Sequence, residues 1–520
     1  MTTRSDAAMV VVGSSLAVLV AATERARRGL QTVIIRSGGA LGGYFSGVHV
    51  MGRRRDAGMV LYEFSSFRET DAMPSLSSYD PMRRNDVGRF CGLVRRYVGQ
   101  QQKTRVIDTP QMWTDGQWLP DMMLGNGIRA VTRLSCVAEA RRQLLDISSR
   151  VRPDSSLCHP ANKGTWPANG KPPADWEKLA GRSGLGFDCD SVSRIVHGDV
   201  LHEALFLPFA RQVMNRDASH LSALYHRLPW LPLYWPESLL AELDGSGASI
   251  PPTLLSAADG ESVAEFCQRL VANVRENPLI TLVDDHLLAM SRTPDSFELV
   301  LAAKGRLSTD RLVWALTPEQ GVALAGMAAS PANDARLPLV LGFLAFREQD
   351  LLRNHSFVHA VSANIGLYRV TNSTACSNRN DEGLVHLVVE ANPNRLMSVH
   401  GALSDDQEVV QAMTADMVRM ELLREGALPS ASELRRFDGA LPLPTHEAVE
   451  RFLHDQERLR AHMPGIELVG ASAAPFAMGL SDQIVQGLQV ADRGVSDSQS
   501  ALNGSLAEPA DRGERLGVPG

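Results

Sequence analysis

Val10-Val11-Val12-Gly13-Ser14-Ser15 opens the stretch whose reading decides the fold, and Thr32-Val33-Ile34-Ile35-Arg36 closes its first unit. A short β-branched run suits a strand, Gly13 breaks it, residues 15 to 28 can run as a helix, and a second apolar run follows. The pattern predicts a β-α-β unit. Such a unit sets a tight turn and a helix N-terminus, with its unpaired N–H groups and positive dipole end, where a dinucleotide pyrophosphate can sit.

The dinucleotide fingerprint G-x-G-x-x-G is incomplete here. Gly13 takes its first place, Ser15 stands at the second and Val18 at the third. The second glycine lets the backbone approach the pyrophosphate and the third lets helix and strand pack closely. The acidic residue expected at the end of the second strand, for the ribose hydroxyls, is replaced by Arg36. Taken alone, the fragment reads equally as a buried β-α-β core with no ligand. Further on come Gly38-Gly39 and Gly42-Gly43, then Asp56-Ala57-Gly58 and a strand-like run at residues 59 to 62.

Outward from this stretch, the chain has 520 residues, 44% hydrophobic and 21% charged, enough for a large core divided among intertwined domains. A net charge of -7 gives no global attraction to nucleic acid or anionic membrane. The six cysteines form no C-x-x-C pair, so neither a metal site nor a disulfide framework is indicated, and a cytoplasmic location fits. No run reaches the ~18 apolar residues that a membrane span requires.

Residues 66 to 125 are polar, with a candidate helix at 85 to 97 and a hairpin turn at Asp115-Gly116 between Trp113 and Trp118. Residues 127 to 150 read as one helix, and the Pro-rich stretch 153 to 175 as a long loop. Residues 191 to 243 read as helical, ending in a cluster with four aromatic rings within twelve residues, from Tyr225 to Pro236. Such a cluster either walls a pocket or is plain core. Next, Gly260-Glu261-Ser262 caps a helix, and strands follow at 280 to 283, 297 to 302 and 311 to 315. Residues 338 to 392 are strand-rich, a helix is expected at 403 to 425, and the tail beyond Asp492 has the composition of a disordered segment.

The order Gly260-Glu261-Ser262, helix, Ile280-Thr281-Leu282, hairpin, then Asp310-Arg311-Leu312-Val313-Trp314-Ala315-Leu316-Thr317-Pro318 resembles the FAD-binding half of the flavin amine oxidase, protoporphyrinogen oxidase and UDP-galactopyranose mutase superfamily. Ile466-Glu467-Leu468-Val469-Gly470 and Gly479-Leu480-Ser481-Asp482-Gln483 are similar to that superfamily's closing FAD signature. Gly439 to Thr445 is similar to the mutase branch's tyrosine-proline segment, without the tyrosine. The resemblance implies an α/β fold: a discontinuous Rossmann-like FAD-binding domain with an α+β substrate domain. It divides the chain into FAD-binding pieces at 1–65, 251–330 and 446–492, a mostly helical substrate or cap region at 66–250, a substrate-domain sheet with helices at 331–445, and a tail at 493–520.

For the cofactor, the resemblance and the fingerprint place Gly13, Ser14 and Ser15 at the pyrophosphate and Arg36 at the adenosine. Val283 falls at the adenine end, with Ala315, Gly42 and Gly43 along the cofactor and Gly470, Asp482 and Gln483 closing the opposite side. Candidate substrate-facing residues are His226, Arg227, Tyr234, Tyr368 and Arg369, in which arginines would pair with an anionic group.

Three functions stay open. The first is an FAD-dependent oxidoreductase, or a flavin-dependent isomerase, acting on a small polar organic substrate. The second is a non-catalytic binding or scaffold subunit with a decayed nucleotide site. The third is an NADPH-dependent reductase in which Arg36 reads a 2′-phosphate. A homodimer or a partner protein is compatible with each.

Overall fold

The two apolar runs of the opening stretch form the centre of a parallel sheet because both of their faces are covered. In this computed structural model, which describes residues 3–4, 9–36, 38–64, 75–80, 85–150, 188–225, 231, 233–245, 255–330, 336–379, 383–474 and 479–493, the sheet has five strands. Their order is Ile280–Asp284, Thr32–Arg36, Met9–Val12, Leu312–Trp314, Glu467–Leu468, every pair parallel. The strands come from three separated pieces of chain, which is the discontinuous Rossmann-like arrangement.

Alternate residues of each strand serve opposite faces. Met9, Val11, Ile34 and Val313 pack under the helices Leu16–Arg27, Val263–Glu276 and Leu480–Asp492. Val10, Val12, Ile35 and Trp314 pack on the other side against Phe297, Leu299 and Leu301 of an antiparallel meander, and against Leu459 of the helix His446–His462. Fully burying one Val or Leu side chain contributes about 1.5–3 kcal/mol, so this double-sided burial explains why the runs carry no polar alternation. The helix Val263–Glu276 is held at its start by a reciprocal cap: the Ser262 hydroxyl accepts the Glu265 amide at 3.1 Å and the Glu265 carboxylate accepts the Ser262 amide at 2.7 Å.

The third fingerprint position, Val18, is fully buried. The close approach of helices comes instead from Gly487 in Leu480–Asp492, where a Cβ would lie 2.6 Å from Val20 Cβ and 2.7 Å from the Ala17 carbonyl oxygen. The glycine that lets two elements touch has moved from the first helix to the last one.

A seven-stranded mixed sheet forms the second half, in the order Ala431–Pro442, Arg336–Arg347, Leu384–Ala391, Leu367–Asn372, Phe357–Ala360, Gln111–Thr114, Gln117–Pro120. The strand Arg336–Arg347 alternates: Leu337, Leu339, Leu341 and Phe343 face the helical region, whereas Val340, Leu344 and Phe346 face Met413 and Met417 of the helix Asp406–Arg419. The hairpin at Asp115-Gly116 forms as expected, with Trp113 opposite Trp118, and it completes this sheet from a distant part of the chain.

Several sequence expectations are corrected. The run at 59 to 62 is strand only at Tyr62–Glu63, because the Met59 amide is drawn to the Glu390 carboxylate at 3.0 Å. The helix expected over 127 to 150 is a 3-10 turn, Ile128–Arg133, then an extended Leu134, then a helix, Val137–Arg150. Ala431–Pro442, which includes the start of the segment at Gly439 to Thr445, is a long strand. The long loop at 153 to 175 and the tail beyond 493 lie outside the described residues.

Candidate functional site

All five parallel strands end on one edge, and the sheet grows in both directions from Met9–Val12. The crevice outside the carboxyl ends at such a reversal of strand order is where ligands bind in open α/β sheets. Gly13 turns the chain there, donating its N–H to Ile35 O at 2.9 Å. Ala315, at the end of the neighbouring strand, donates its N–H to Val12 O at 2.9 Å, and a Cβ on Gly13 would lie only 2.9 Å from Ala315 Cβ. Ser15 is the N-cap of Leu16–Arg27, yet its hydroxyl caps nothing: Oγ is buried and has no hydrogen-bond partner among the described residues.

The segment after the second strand returns to this turn. Gly42 donates its N–H to Ser14 O at 2.6 Å, and a Cβ there would lie 2.1 Å from Cys267 Sγ, so a side chain is excluded by the helix Val263–Glu276. Gly43 differs. Its φ is +56°, and among the described residues a Cβ would meet no atom nearer than Ser15 Cα at 3.9 Å, leaving it pointed into the cleft.

The opposite side is closed by the last strand and helix. Gly470 donates its N–H to Gln486 Oε1 at 2.6 Å, and a Cβ on it would lie 3.0 Å from Ser15 Oγ. Asp482 is committed to its own helix start: its carboxylate accepts the Gly479 amide at 3.0 Å and the Tyr79 hydroxyl at 3.3 Å. Gln483, one residue on, faces the opening.

Between these pieces lies a cleft of about 590 Å³. Ser15, Gly42, Gly43, Tyr44, Ala471 and Gln483 form one wall; Thr317, Glu319, Gln320, Arg336, Arg451, Phe452 and Asp455 form the other. Asp455 is 1% exposed; its Oδ1 accepts from Ser330 Oγ at 2.9 Å and Arg458 at 3.1 Å, while Oδ2 has no partner among the described residues. This far wall mixes arginines and carboxylates, and the sequence reading missed it because its members sit on a helix, a strand end and a cap separated by over a hundred residues.

Arg36 does not stand free at its strand end. Nε donates to Asp284 Oδ1 at 2.6 Å and an Nη donates to Gly39 O at 2.9 Å. Asp284 is the register partner of Arg36 on the adjacent edge strand, and the hydrogen bond from Arg36 holds its carboxyl below the usual aspartate range. Val283, next to it, is buried, and pairs with Ile35.

The expected substrate-facing residues are not gathered at the cleft. Tyr234 is fully buried in the helical core; its hydroxyl donates to Met122 O at 2.6 Å and its amide to His197 Nε2 at 2.9 Å. The described part of the aromatic cluster is therefore core, with Trp235 beside it. His226 and Arg227 lie outside the described residues.

Tyr368 and Arg369 are buried between the two halves. Arg369 donates to both oxygens of Glu390, at 2.6 Å through Nε, and Tyr368 OH donates to Glu390 Oε2 at 3.2 Å. Burial works against the charge of Arg369, but Glu390 outweighs it and holds the guanidinium above its ordinary pKa. The same carboxylate accepts the Met59 amide, and Tyr44 on the cleft wall donates its hydroxyl to Ala57 O in that loop. The pair thus fastens the loop 57–59 to the seven-stranded sheet. Nearby, burial pushes the Asp56 carboxyl up to about 7, against the amides of Val263 and Ala264, which donate to it at 3.2 and 2.7 Å.

No protein-family model matches the chain, and no curated protein matches it in sequence. Solved structures match it along nearly its whole length. A protein provisionally assigned as a protoporphyrinogen oxidase, from Exiguobacterium sp. 255-15, superposes with a TM-score of 0.60 at 16% identity, covering 94% of this chain and 98% of its own. A reduced UDP-galactopyranose mutase gives 0.63 at 12% identity, covering 96% of both chains. Cyclohexylamine oxidase from Brevibacterium oxydans IH-35A gives 0.56 at 12% identity, covering 95% of this chain and 99% of its own. At these identities the likeness is one of fold, and it is the fold that the sequence motifs indicated.

Proposed function

We propose that this protein is an FAD-dependent enzyme, an oxidoreductase or a flavin-dependent isomerase, acting on a small polar organic substrate. The observation that carries this is the convergence of three separated chain pieces on one cleft whose walls are shaped for a nucleotide. Gly43 leaves room where any side chain would intrude, and Ser15 Oγ is a buried hydroxyl with no hydrogen-bond partner among the described residues. The solved structures of the same fold include an oxidase of cyclohexylamine and a mutase of UDP-galactopyranose, which is why oxidation and isomerisation are both retained.

In this reading Ser15 Oγ and the N-terminus of Leu16–Arg27 hold the pyrophosphate. Gly42 and Gly43 line the path toward the flavin, with Gln483 across from them. FAD, when bound, supplies hydride and electron transfer. The chain's own share is binding and orientation: Arg336 and Arg451 suit an anionic group of the substrate, and Asp455 Oδ2 suits a hydrogen-bond donor.

A second reading, a nucleotide-binding protein without turnover, draws on the commitment of Tyr234, Tyr368 and Arg369 to the interior. Purified protein tests the main reading: flavin absorbance, or uptake of one FAD by colourless protein, supports it. Failure to take up added FAD overturns both readings. Uptake of FAD with a flavin that no reductant or oxidant reaches favours the second.

A further inference from the structure

We infer that the adenosine ribose is recognised by Asp284, from the end of the edge strand Ile280–Asp284, and that Arg36 positions its carboxylate. This rests on the FAD reading and assigns a ligand that the sequence left vacant when arginine took the acidic place at residue 36.

The geometry supports the transfer. Adjacent strands lie ~4.8 Å apart, so moving an acid from the end of one strand to the end of the next displaces it by one strand spacing. Arg36 draws it back: the two residues are register partners, and Nε holds Asp284 Oδ1 at 2.6 Å. A second contact, to Gly39 O at 2.9 Å, fixes the guanidinium in turn. Asp284 remains 59% exposed, with Oδ2 free of any protein hydrogen bond among the described residues, at the edge of the sheet where nucleotides bind.

The neighbouring acid cannot serve. Asp285 accepts the amides of His286, Ala303 and Lys304 at 2.8–3.1 Å and is consumed by that turn. The pairing also bears on nucleotide choice. With its charge matched by Asp284, Arg36 is not a free cation for a 2′-phosphate, and the carboxylate beside it repels one. The site therefore favours an unphosphorylated ribose, which separates it from a phosphorylated nicotinamide nucleotide.

The test pairs a change in the protein with a change in the ligand, read as dissociation constants from flavin fluorescence. The ligands are FAD and its 2′-deoxyadenosine and 3′-deoxyadenosine analogues; the proteins are wild type, Asp284→Ala, Arg36→Met and the exchange Arg36→Asp with Asp284→Arg. A hydrogen bond to a charged group corresponds to about tenfold or more in affinity. Wild type is expected to bind FAD about tenfold more tightly than at least one of the analogues. Asp284→Ala is expected to lose that discrimination while keeping its melting temperature, because an exposed ion pair contributes at most ~1 kcal/mol. Arg36→Met should lose part of it, and the exchange should restore it, since a carboxylate again faces the ribose. Undiminished discrimination in Asp284→Ala overturns the assignment, as does loss in Arg36→Met alone, which would make the guanidinium the ligand. If wild type binds no FAD, the cofactor reading itself falls, a result distinct from FAD binding without ribose discrimination.

Discussion

Gly42 and Gly43 are adjacent, both with positive φ, yet alanine at the two should have opposite consequences. At Gly43 the new Cβ meets no atom of the described residues closer than 3.9 Å, so the folded protein bears only the left-handed backbone, about 1–2 kcal/mol. In the cofactor-bound state the same methyl occupies space assigned to FAD, and overpacking of this kind costs about 1–3 kcal/mol, roughly a five- to hundredfold loss of affinity. At Gly42 the Cβ would lie 2.1 Å from Cys267 Sγ, with the next atoms at 3.5 and 3.6 Å, so the clash is with one sulfur. Gly42→Ala should reduce folded yield, and adding Cys267→Ala should recover it. The assay is FAD titration of each variant alongside thermal unfolding without FAD. The reasoning is refuted if Gly43→Ala binds FAD as wild type does, or if Cys267→Ala gives Gly42→Ala no relief.

Further expectations follow from the same contacts. Glu390→Gln leaves the Arg369 charge buried without its partner and should cost about 3–5 kcal/mol in urea unfolding; a loss below about 1 kcal/mol would show that the pair is not what fastens the halves. Gly487→Ala drives a methyl into Val20 and the Ala17 carbonyl and should cost about 1–3 kcal/mol, measured as a lower melting temperature. Asp56 has a folded pKa of about 7, raised by burial above its unfolded value, so its contribution is full below the unfolded pKa and is lost as pH rises through 7. Stability should therefore fall with pH from about 4 to 7 and level off above that, and Asp56→Asn should flatten that slope; an unchanged slope would assign the pH dependence elsewhere.

The nucleotide half was legible because its signals are local. The run Val10 to Val12, the break at Gly13 and the run Thr32 to Ile35 lie within one β-α-β unit, and burial on both faces leaves them uninterrupted. Val18 was harder to place, since the glycine that answers it is Gly487, on a helix at the other end of the chain. Asp284 was invisible for the same reason: its partner Arg36 is 248 residues away and no spacing rule joins them. Ala431–Pro442 escaped notice because it is an edge strand in which Ser432, Glu433, Arg435, Arg436 and Asp438, on both faces, interrupt the apolar residues, so hydrophobic alternation is weak. Tyr368 and Arg369 drew attention as polar residues in a strand, and only the structure reveals that Glu390, directly across the ladder, absorbs them.

The central claim is that one FAD lies in the cleft between the Gly13 turn and the last helix. A crystal structure of the protein reconstituted with FAD tests it most directly. The account predicts density for the pyrophosphate within hydrogen-bond reach of Ser15 Oγ and for the ribityl chain along Gly42 and Gly43. FAD bound elsewhere, or crystals of FAD-saturated protein with Ser15 Oγ facing no phosphate, would contradict it.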